Sequence, residues 1–273
     1  MLKRYEGLGE FCRVAKECQG ASNSYNDGWA GNISYSEAIE KSLHGEESYV
    51  AEAEKLMDQL DAAISVPHAE WASSVYGAYP IVAEFLAGSP TPMRHRVEAE
   101  SDSSPIAVYV STTCSGGVDA ETMLKRGITI LALIAKMQQI RPIEVYLLAE
   151  THGQTDGEYI QVIPLDSKPI QLSSVAFAMV HVGFARHLTY TIAEVKDRFN
   201  GHWPDGFSYG SDIHTTWEPH IRQVVGMGEN DLYIPPVKWS DELVREPVKW
   251  ITKQIAKFTA RGDEYRFHTK ATS

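Results

Sequence analysis

The chain has 273 residues, of which 43% are hydrophobic and 22% are charged, and its formal net charge is −11. These proportions describe an ordinary soluble globular protein. No run of 18 apolar residues occurs and no apolar block follows the first residues, so we expect neither a transmembrane helix nor a signal peptide. Three cysteines without metal-type spacing favour a reducing compartment, so we expect a cytoplasmic protein that does not bind membranes.

The first hundred residues predict short helices joined by polar loops. Residues 1–20 predict a first helix, and Ser34 or Ser36 can cap a second one. A third helix is predicted over residues 46–64, where apolar residues recur at helical spacing. Pro80 suits the first turn of a fourth helix. An acidic, serine-rich linker then leads into the next part of the chain.

The stretch from Pro105 to Leu165 alternates between strand and helix patterns. Residues 106–110 form a short apolar run of the kind that is buried on both faces of a sheet. A long helix follows to about Gln139, and strands are predicted at 143–148 and 159–165. Strand, helix, strand predicts a parallel pair. The short loop before the third strand predicts a hairpin, so we expect that strand to be antiparallel and at the edge of the sheet.

The chain after the third strand predicts two more helices, two short strands and a final helix. The helices are expected at 172–185 and 191–199, and the strands at 223–225 and 232–234. Pro247 should kink or restart the final helix.

The loop after the first of these strands carries hydroxyl groups at alternate positions. Strand, hydroxyl-rich loop, helix, strand and antiparallel strand together resemble the start of a von Willebrand factor A domain. The resemblance implies an α/β fold with a Rossmann-like sheet and helices on both faces. In that family, an Asp and two hydroxyl residues in this loop hold a divalent cation, and these positions fall on Ser111, Thr113 and Ser115. Because the carboxylate is replaced by a hydroxyl, we expect a degenerate loop without metal, and no cofactor.

Two sequence blocks lie before the α/β stretch. Trp29–Ile39 reads WAGNISYSEAI, and Tyr76–Met93 reads YGAYPIVAEFLAGSPTPM. Both resemble an uncharacterised family found in phages and mobile elements, which brings no catalytic residues with it. The resemblance extends to phages that encode their own RNA polymerases, whose early proteins of this size bind single-stranded DNA and recruit the polymerase. It implies a phage protein that acts in the cytoplasm of the host cell.

The charge distribution divides the chain. We expect a helical and irregular region over residues 1–100 packed on the core, an α/β core over 101–239, and a basic helix and tail over 240–273. Residues 245–273 carry seven Lys or Arg and three acidic residues, so a body of net charge −15 carries a tail of +4. This asymmetry predicts a tail that meets nucleic acid or an acidic partner, or that docks on the acidic body.

The final helix combines an apolar stripe with a basic row. Ser240 is expected to cap it, with two acidic residues in its first turn. The apolar positions are Val244, Val248, Ile251, Ile255 and Phe258. The nucleic-acid-binding candidates are Arg245, Lys249, Trp250, Lys253, Lys257 and Arg261. Cations that follow phosphates and rings that stack on bases are typical of single-strand binding, whereas a solvated helix face is the ordinary alternative.

Histidines concentrate between His181 and His220, and they carry the competing hypothesis. Asp212, His214 and His220 could converge on Zn²⁺ or act in acid–base chemistry, although no HExxH or paired-Cys pattern supports this. Structural hydrogen bonding is the alternative role for these histidines. The leading hypothesis is therefore a non-enzymatic phage accessory protein that binds single-stranded DNA and a protein partner such as a phage RNA polymerase. The alternative is a metal-dependent enzyme that uses residues 181–220.

Overall fold

The computed structural model describes most of the chain, and its elements fall into two groups along the sequence. The described residues are 2–20, 27–63, 71–74, 79–80, 85–96, 105–114, 117–140, 142–153, 157–165, 170–197, 218–237 and 241–259. The first group comprises β1 (Leu2–Arg4), α1 (Leu8–Glu17), α2 (Tyr35–His44), α3 (Glu47–Ala63), β2 (Trp71–Ser74), β3 (Tyr79–Pro80) and β4 (Met93–Arg96).

The second group contains most of the central sheet. Its first members are β5 (Ile106–Ser111), α4 (Ala120–Ile140), β6 (Ile143–Gly153), β7 (Gly157–Leu165) and α5 (Leu172–Val180). A helical segment that we call α6 follows, as a π-helix (Phe184–Thr189), an α-helical turn (Tyr190–Ile192) and a second π-helix (Ala193–Asp197). The last members are α7 (Glu218–Val225), β8 (Leu232–Ile234), α8 (Glu242–Arg245) and α9 (Pro247–Thr259).

A five-stranded mixed sheet organises the fold, with the strand order β1-β7-β6-β5-β8. Strands β6 and β8 pair in parallel with β5 on its two sides, whereas β7 pairs antiparallel with β6. The predicted parallel pair and the antiparallel hairpin are both confirmed. A smaller sheet of order β2-β4-β3 lies between α3 and β5 in sequence.

Helices pack on both faces of the main sheet, as alternating strand residues require. Val108 and Val145 face a large core that also contains buried side chains of α1 to α5 and α9. Tyr109 and Leu148 lie an odd number of residues away on the same two strands, so they face the other side, where they share a cluster with residues of α7 such as Ile221. Because side chains alternate along a strand, this double burial explains why β5 is a continuous apolar run from Ile106 to Val110. The chain therefore has an α/β architecture with a sheet flanked by helices.

Two local features of the helical layer follow directly from sequence. The Ser34 hydroxyl accepts a hydrogen bond from the Glu37 amide and caps α2, as predicted. Gly127 lies where α4 meets α5, and a Cβ there would sit 2.4 Å from the Cα of Val180. The two helices therefore approach backbone to backbone, which only a residue without a side chain permits.

Several sequence expectations for the N-terminal region are wrong. Residues 1–20 are not one helix, because Leu2–Arg4 form β1, which pairs in parallel with β7. For that reason β7 is not the edge strand of the sheet. Pro80 does not begin a helix, since Tyr79–Pro80 pair with β4 as strand β3.

The C-terminal half contains further differences. The expected helix over 172–185 ends at Val180, and a separate segment begins at Phe184. Residues 223–225 are not a strand but the end of α7, whose Ile221 and Val225 face the sheet one turn apart. Asp241 takes the N-cap position of α8, and Ser240 lies outside the described residues. No helix among the described residues is both long and apolar enough to cross a membrane.

Candidate functional site

The carboxyl ends of β5 and β8 form the point at which the strand order of the sheet reverses. From β5 the chain continues into α4 on one face, whereas α7 packs on the opposite face and leads into β8. In open α/β sheets the crevice outside such a reversal point is the usual place for a ligand. The residues at these strand ends therefore form the first candidate site.

A buried carboxyl group occupies this position. Glu150 on β6 is 1% exposed and accepts hydrogen bonds from the Ser111 hydroxyl at 2.6 Å and the Tyr233 hydroxyl at 2.8 Å. The Thr113 hydroxyl accepts from the Glu150 amide at 2.7 Å and donates to its carbonyl oxygen at 3.0 Å. Burial raises the pKa of the Glu150 carboxyl above its ordinary value, and the hydroxyl donors oppose that shift. We call Ser111, Thr113, Glu150, Tyr233 and Arg126 the strand-end cluster.

The positive charge of the strand-end cluster comes from Arg126 on α4. This side chain is 1% exposed and donates to the carbonyl oxygen of Pro235, just after β8, at 2.8 Å. Burial lowers its pKa to about 10, and its field favours the charged form of Glu150. Within the described residues its Nε has no hydrogen-bond partner. The buried guanidinium and the buried carboxyl therefore interact electrostatically within the strand-end cluster.

The hydroxyls of the predicted degenerate loop are therefore used inside the protein. Ser111 and Thr113 are both fully buried and both bond to Glu150, whereas Ser115 lies outside the described residues. The carboxylate that the loop lacks is present on the neighbouring strand, a pairing that spacing along the sequence could not reveal. Its only signal in the sequence is an acidic residue at the end of an apolar run.

The block that starts at Trp29 is held in place by side chains of α6. Arg186 donates to the carbonyl oxygens of Trp29 at 2.7 Å and Val118 at 2.6 Å, and its guanidinium lies 4.8 Å from the Trp29 ring centre. Gly31 has φ 86°, and a Cβ there would sit 2.8 Å from Val182. The block is therefore explained by packing of a tight turn on α6.

Two residues of the histidine-rich segment have structural contacts. The Nε2 atom of His187 lies 2.7 Å from the carbonyl oxygen of Ile33. The His181 ring stacks on Phe177 and accepts from the Gly183 amide, and burial lowers its pKa to about 4. Both imidazoles thus have hydrogen-bonding and packing roles in the fold.

The alternative metal ligands fall mostly outside the region that the structure describes. Asp212 and His214 lie in the undescribed segment, and His220 is exposed on α7. Among the described residues, no group of three or more His, Cys, Asp or Glu side chains is placed to hold a metal ion.

The basic row of the final helix lies on the exposed side of α9. Ile251 and Ile255 are at most 1% exposed and anchor the helix in the core. On the opposite side Lys249, Lys253 and Lys257 are exposed, as is Arg245 at the end of α8. Arg261 lies outside the described residues. The predicted separation into an apolar stripe and a basic row is confirmed for the described part of the helix.

Trp250 lies between these two sides of α9. It is half-buried and packs against the core cluster. Helical geometry places it on the same flank as Lys253, three residues on, and Lys257, seven residues on. The indole is thus packed against the core beside two exposed lysines.

Two acidic residues, Glu242 and Glu246, form ion pairs with the basic row. The sequence patterns did not single out these pairs. Lys253 Nζ lies 2.6 Å from Oε1 and 2.8 Å from Oε2 of Glu242. Lys249 Nζ lies 2.7 Å from Glu246 and 3.4 Å from Glu242. These contacts lower the pKa of Glu242, chiefly through the hydrogen bond from Lys253, and raise that of Lys249, chiefly through Glu246. The charge of the basic row is thus partly neutralised within the protein.

Comparison with known proteins identifies a family for the chain. No curated protein and no solved structure matches it. A family model described as "Domain of unknown function (DUF7192)" matches residues 1–258. Because this match covers nearly the whole chain, including the sheet, the strand-end cluster and the basic row of α9, the protein belongs to the DUF7192 family.

Proposed function

We propose that this protein is a non-enzymatic accessory factor that binds single-stranded DNA through the exposed side of α9. We propose that it also binds a protein partner such as a phage RNA polymerase. The observation that carries the proposal is the row of exposed lysines on a core-anchored helix with a half-buried Trp at its flank. Such a surface supplies charge for phosphates and a ring for bases without unfolding any part of the core. We call Arg245, Lys249, Trp250, Lys253 and Lys257 the basic face.

The geometry favours a single strand over a duplex. The lysines stand on successive turns, about 6 Å apart along the helix axis, and form one line. One line of cations can follow one phosphate backbone, and the Trp beside it requires a base that is free to leave its partner. A line of cations can follow phosphates, whereas reading of base edges would need a set of side chains matched to the donors and acceptors of a groove.

The proposed protein partner and the phage origin rest on the sequence resemblances. The blocks at Trp29–Ile39 and Tyr76–Met93 resemble proteins of phages and mobile elements. The proposed von Willebrand factor A relationship is supported by the order β7-β6-β5-β8, by the antiparallel β7 and by the hydroxyl-rich loop after β5. The acidic net charge of the remainder of the chain would favour a basic protein partner.

Equilibrium binding to a labelled oligonucleotide tests the proposal. We expect the parent protein to bind single-stranded DNA at low salt and to bind it more tightly than duplex DNA of the same length. Changing Lys249, Lys253 and Lys257 together to Gln should abolish most of this binding. The matched control changes three exposed lysines elsewhere, Lys16, Lys55 and Lys125, to Gln, which alters the net charge equally. Equal loss in the two triple variants would contradict a localised interface.

Trp250→Ala separates stacking from charge. If the indole stacks on a base, its loss should weaken binding by about 1–3 kcal/mol and leave the salt dependence unchanged. Because Trp250 also packs against the core, the variant needs a melting curve beside the binding curve. A fully folded Trp250→Ala protein with unchanged affinity would exclude the stacking role.

A further inference from the structure

We propose that the carboxylate of Glu242 occupies a phosphate subsite formed by Lys249 and Lys253, and that a phosphodiester strand binds the basic face by displacing it. The inference rests on the proposed function, and it adds the position of one phosphate and a built-in competitor for it. Nucleic acid binding would then be an exchange of one anion for another on the same two ammonium groups.

The contact geometry assigns this subsite. Both oxygens of Glu242 lie within hydrogen-bond distance of Lys253 Nζ, at 2.6 and 2.8 Å, and Oε1 also lies 3.4 Å from Lys249 Nζ. One carboxylate is therefore shared by two ammonium groups on successive turns of α9. A phosphodiester also presents two negatively charged, non-bridging oxygens, and ammonium groups bind phosphate and carboxylate by the same charge-assisted hydrogen bonds.

A break in the chain brings Glu242 to this position. In a straight helix, residues 242 and 253 would lie about 16 Å apart along the axis. The backbone leaves the helical region at Glu246, with φ −133° and ψ 62°, and a new helix begins at Pro247. Helix α8 thereby places its first-turn carboxylate beside the middle of α9. The contact between Glu242 and Lys253 thus depends on the break between α8 and α9, because the spacing of residues along one continuous helix would not produce it.

The carboxylate can be displaced because the contact lies at the surface. The side chains of Lys249 and Lys253 are 55% and 51% exposed, and that of Glu242 is 30% exposed. Exposed ion pairs of this kind contribute little net free energy, so a phosphate can replace the carboxylate at small cost. Lys257 has no ion-pair partner among the described residues. A strand can therefore contact Lys257 and Trp250 first and reach the Glu242 position next.

Replacement of the competitor gives the test. In Glu242→Gln, Lys253 loses its acidic partner and Lys249 keeps only its contact with Glu246 at 2.7 Å. We therefore expect single-stranded DNA to bind about two- to tenfold more tightly at roughly 0.1 M salt, with a steeper dependence of affinity on salt. The matched control is Glu121→Gln on α4, which removes an exposed carboxylate that also pairs with a lysine, Lys125, at 2.7 Å. The control should gain only the small, general effect of one negative charge fewer. Equal affinities of the two variants would overturn the proposed subsite.

A second comparison separates failure of this inference from failure of the proposed function. The gain from Glu242→Gln should disappear when Lys249 and Lys253 are also changed to Gln, and a gain that persists would overturn the subsite. If these lysine changes reduce binding but Glu242→Gln has no effect beyond its control, the basic face stands and the competitor role is refuted. If the lysine changes have no effect, the interface and the subsite fail together. A parent protein that does not bind while Glu242→Gln binds would support strong competition, and no binding by either would refute both proposals.

Discussion

The free energy of unfolding should depend on pH through the buried carboxyl of Glu150, and Glu150→Gln isolates that dependence. Burial raises the pKa of this carboxyl in the folded protein above its ordinary value of 4.5. The folded state therefore holds a proton that the unfolded state has released, from about pH 4.5 up to the raised pKa. In that window the free energy of unfolding falls as pH rises, by about 1.4 kcal/mol per pH unit. The contribution is complete below pH 4.5 and is lost as pH passes through the folded-state pKa.

Gln has no such proton, so the stability of the variant relative to the parent should rise with pH across the same window. Urea denaturation of both proteins between about pH 5 and pH 9 measures this difference directly. Ser111→Ala supplies an independent check, because Ser111 donates at 2.6 Å to the charged form of Glu150. Its loss should cost roughly 1.5–3 kcal/mol in the parent where Glu150 is ionised, and clearly less in the Glu150→Gln background. A stability difference between parent and Glu150→Gln that is independent of pH, or that falls with pH, would refute this reasoning.

Three further predictions follow from the described contacts. Addition of 10 mM Mg²⁺ should leave the melting temperature unchanged, because the Ser111 hydroxyl is hydrogen-bonded inside the protein. A site with a dissociation constant of 1 mM would raise the free energy of unfolding by about 1.4 kcal/mol and the melting temperature by several degrees. A saturable shift would therefore contradict the expected absence of a metal site. Gly31→Ala should lower the free energy of unfolding by roughly 2 kcal/mol or more in a urea titration, because alanine would be strained at φ 86° and its Cβ would lie 3.0 Å from the His181 ring. A neutral result would contradict the close packing. Asp61→Asn should lower the free energy of unfolding by about 1.5–3 kcal/mol, because Lys136 is 3% exposed and pairs with Asp61 at 2.5 Å. Lys136→Met should lower it less, since that change leaves no buried charge unpaired. The reverse order in thermal melts would refute the importance of this pair.

The parts of the fold that depend on local pattern were predictable from the sequence. The apolar run of β5, the long apolar face of α4 and the hairpin between β6 and β7 each follow from the spacing of side chains within one segment. The Ser34 cap of α2 is likewise a local event, in which a hydroxyl satisfies an amide three residues later.

The parts that depend on distant pairing were not predictable in this way. Strand β1 has only three residues and no alternation of apolar and polar side chains. It is a strand because its backbone pairs in parallel with β7. The two valines at the end of α7 favour a strand because their side chains are branched at Cβ. The segment is nevertheless a helix, because a helix places Ile221 and Val225 one turn apart and packs both against the sheet.

The candidate sites show the same division. The basic row of α9 was predictable because it repeats every four residues along one helix. Its pairing with Glu242 was not, because the contact spans eleven residues across the break at Pro247. The strand-end cluster joins residues from three strands, and Glu150 meets Ser111 and Tyr233 only after the sheet has formed.

The salt dependence of binding tests the nucleic-acid role of α9 most directly. In fluorescence anisotropy with a labelled single strand, the slope of log affinity against log salt should flatten by about 2 when Lys249, Lys253 and Lys257 are changed to Gln, from roughly 0.7 per lost phosphate contact. Folding should change by less than about 0.5 kcal/mol, because Ile251 and Ile255 continue to anchor the helix. An unchanged slope in a folded triple variant, or no binding by the parent protein and by Glu242→Gln at low salt, would contradict the account.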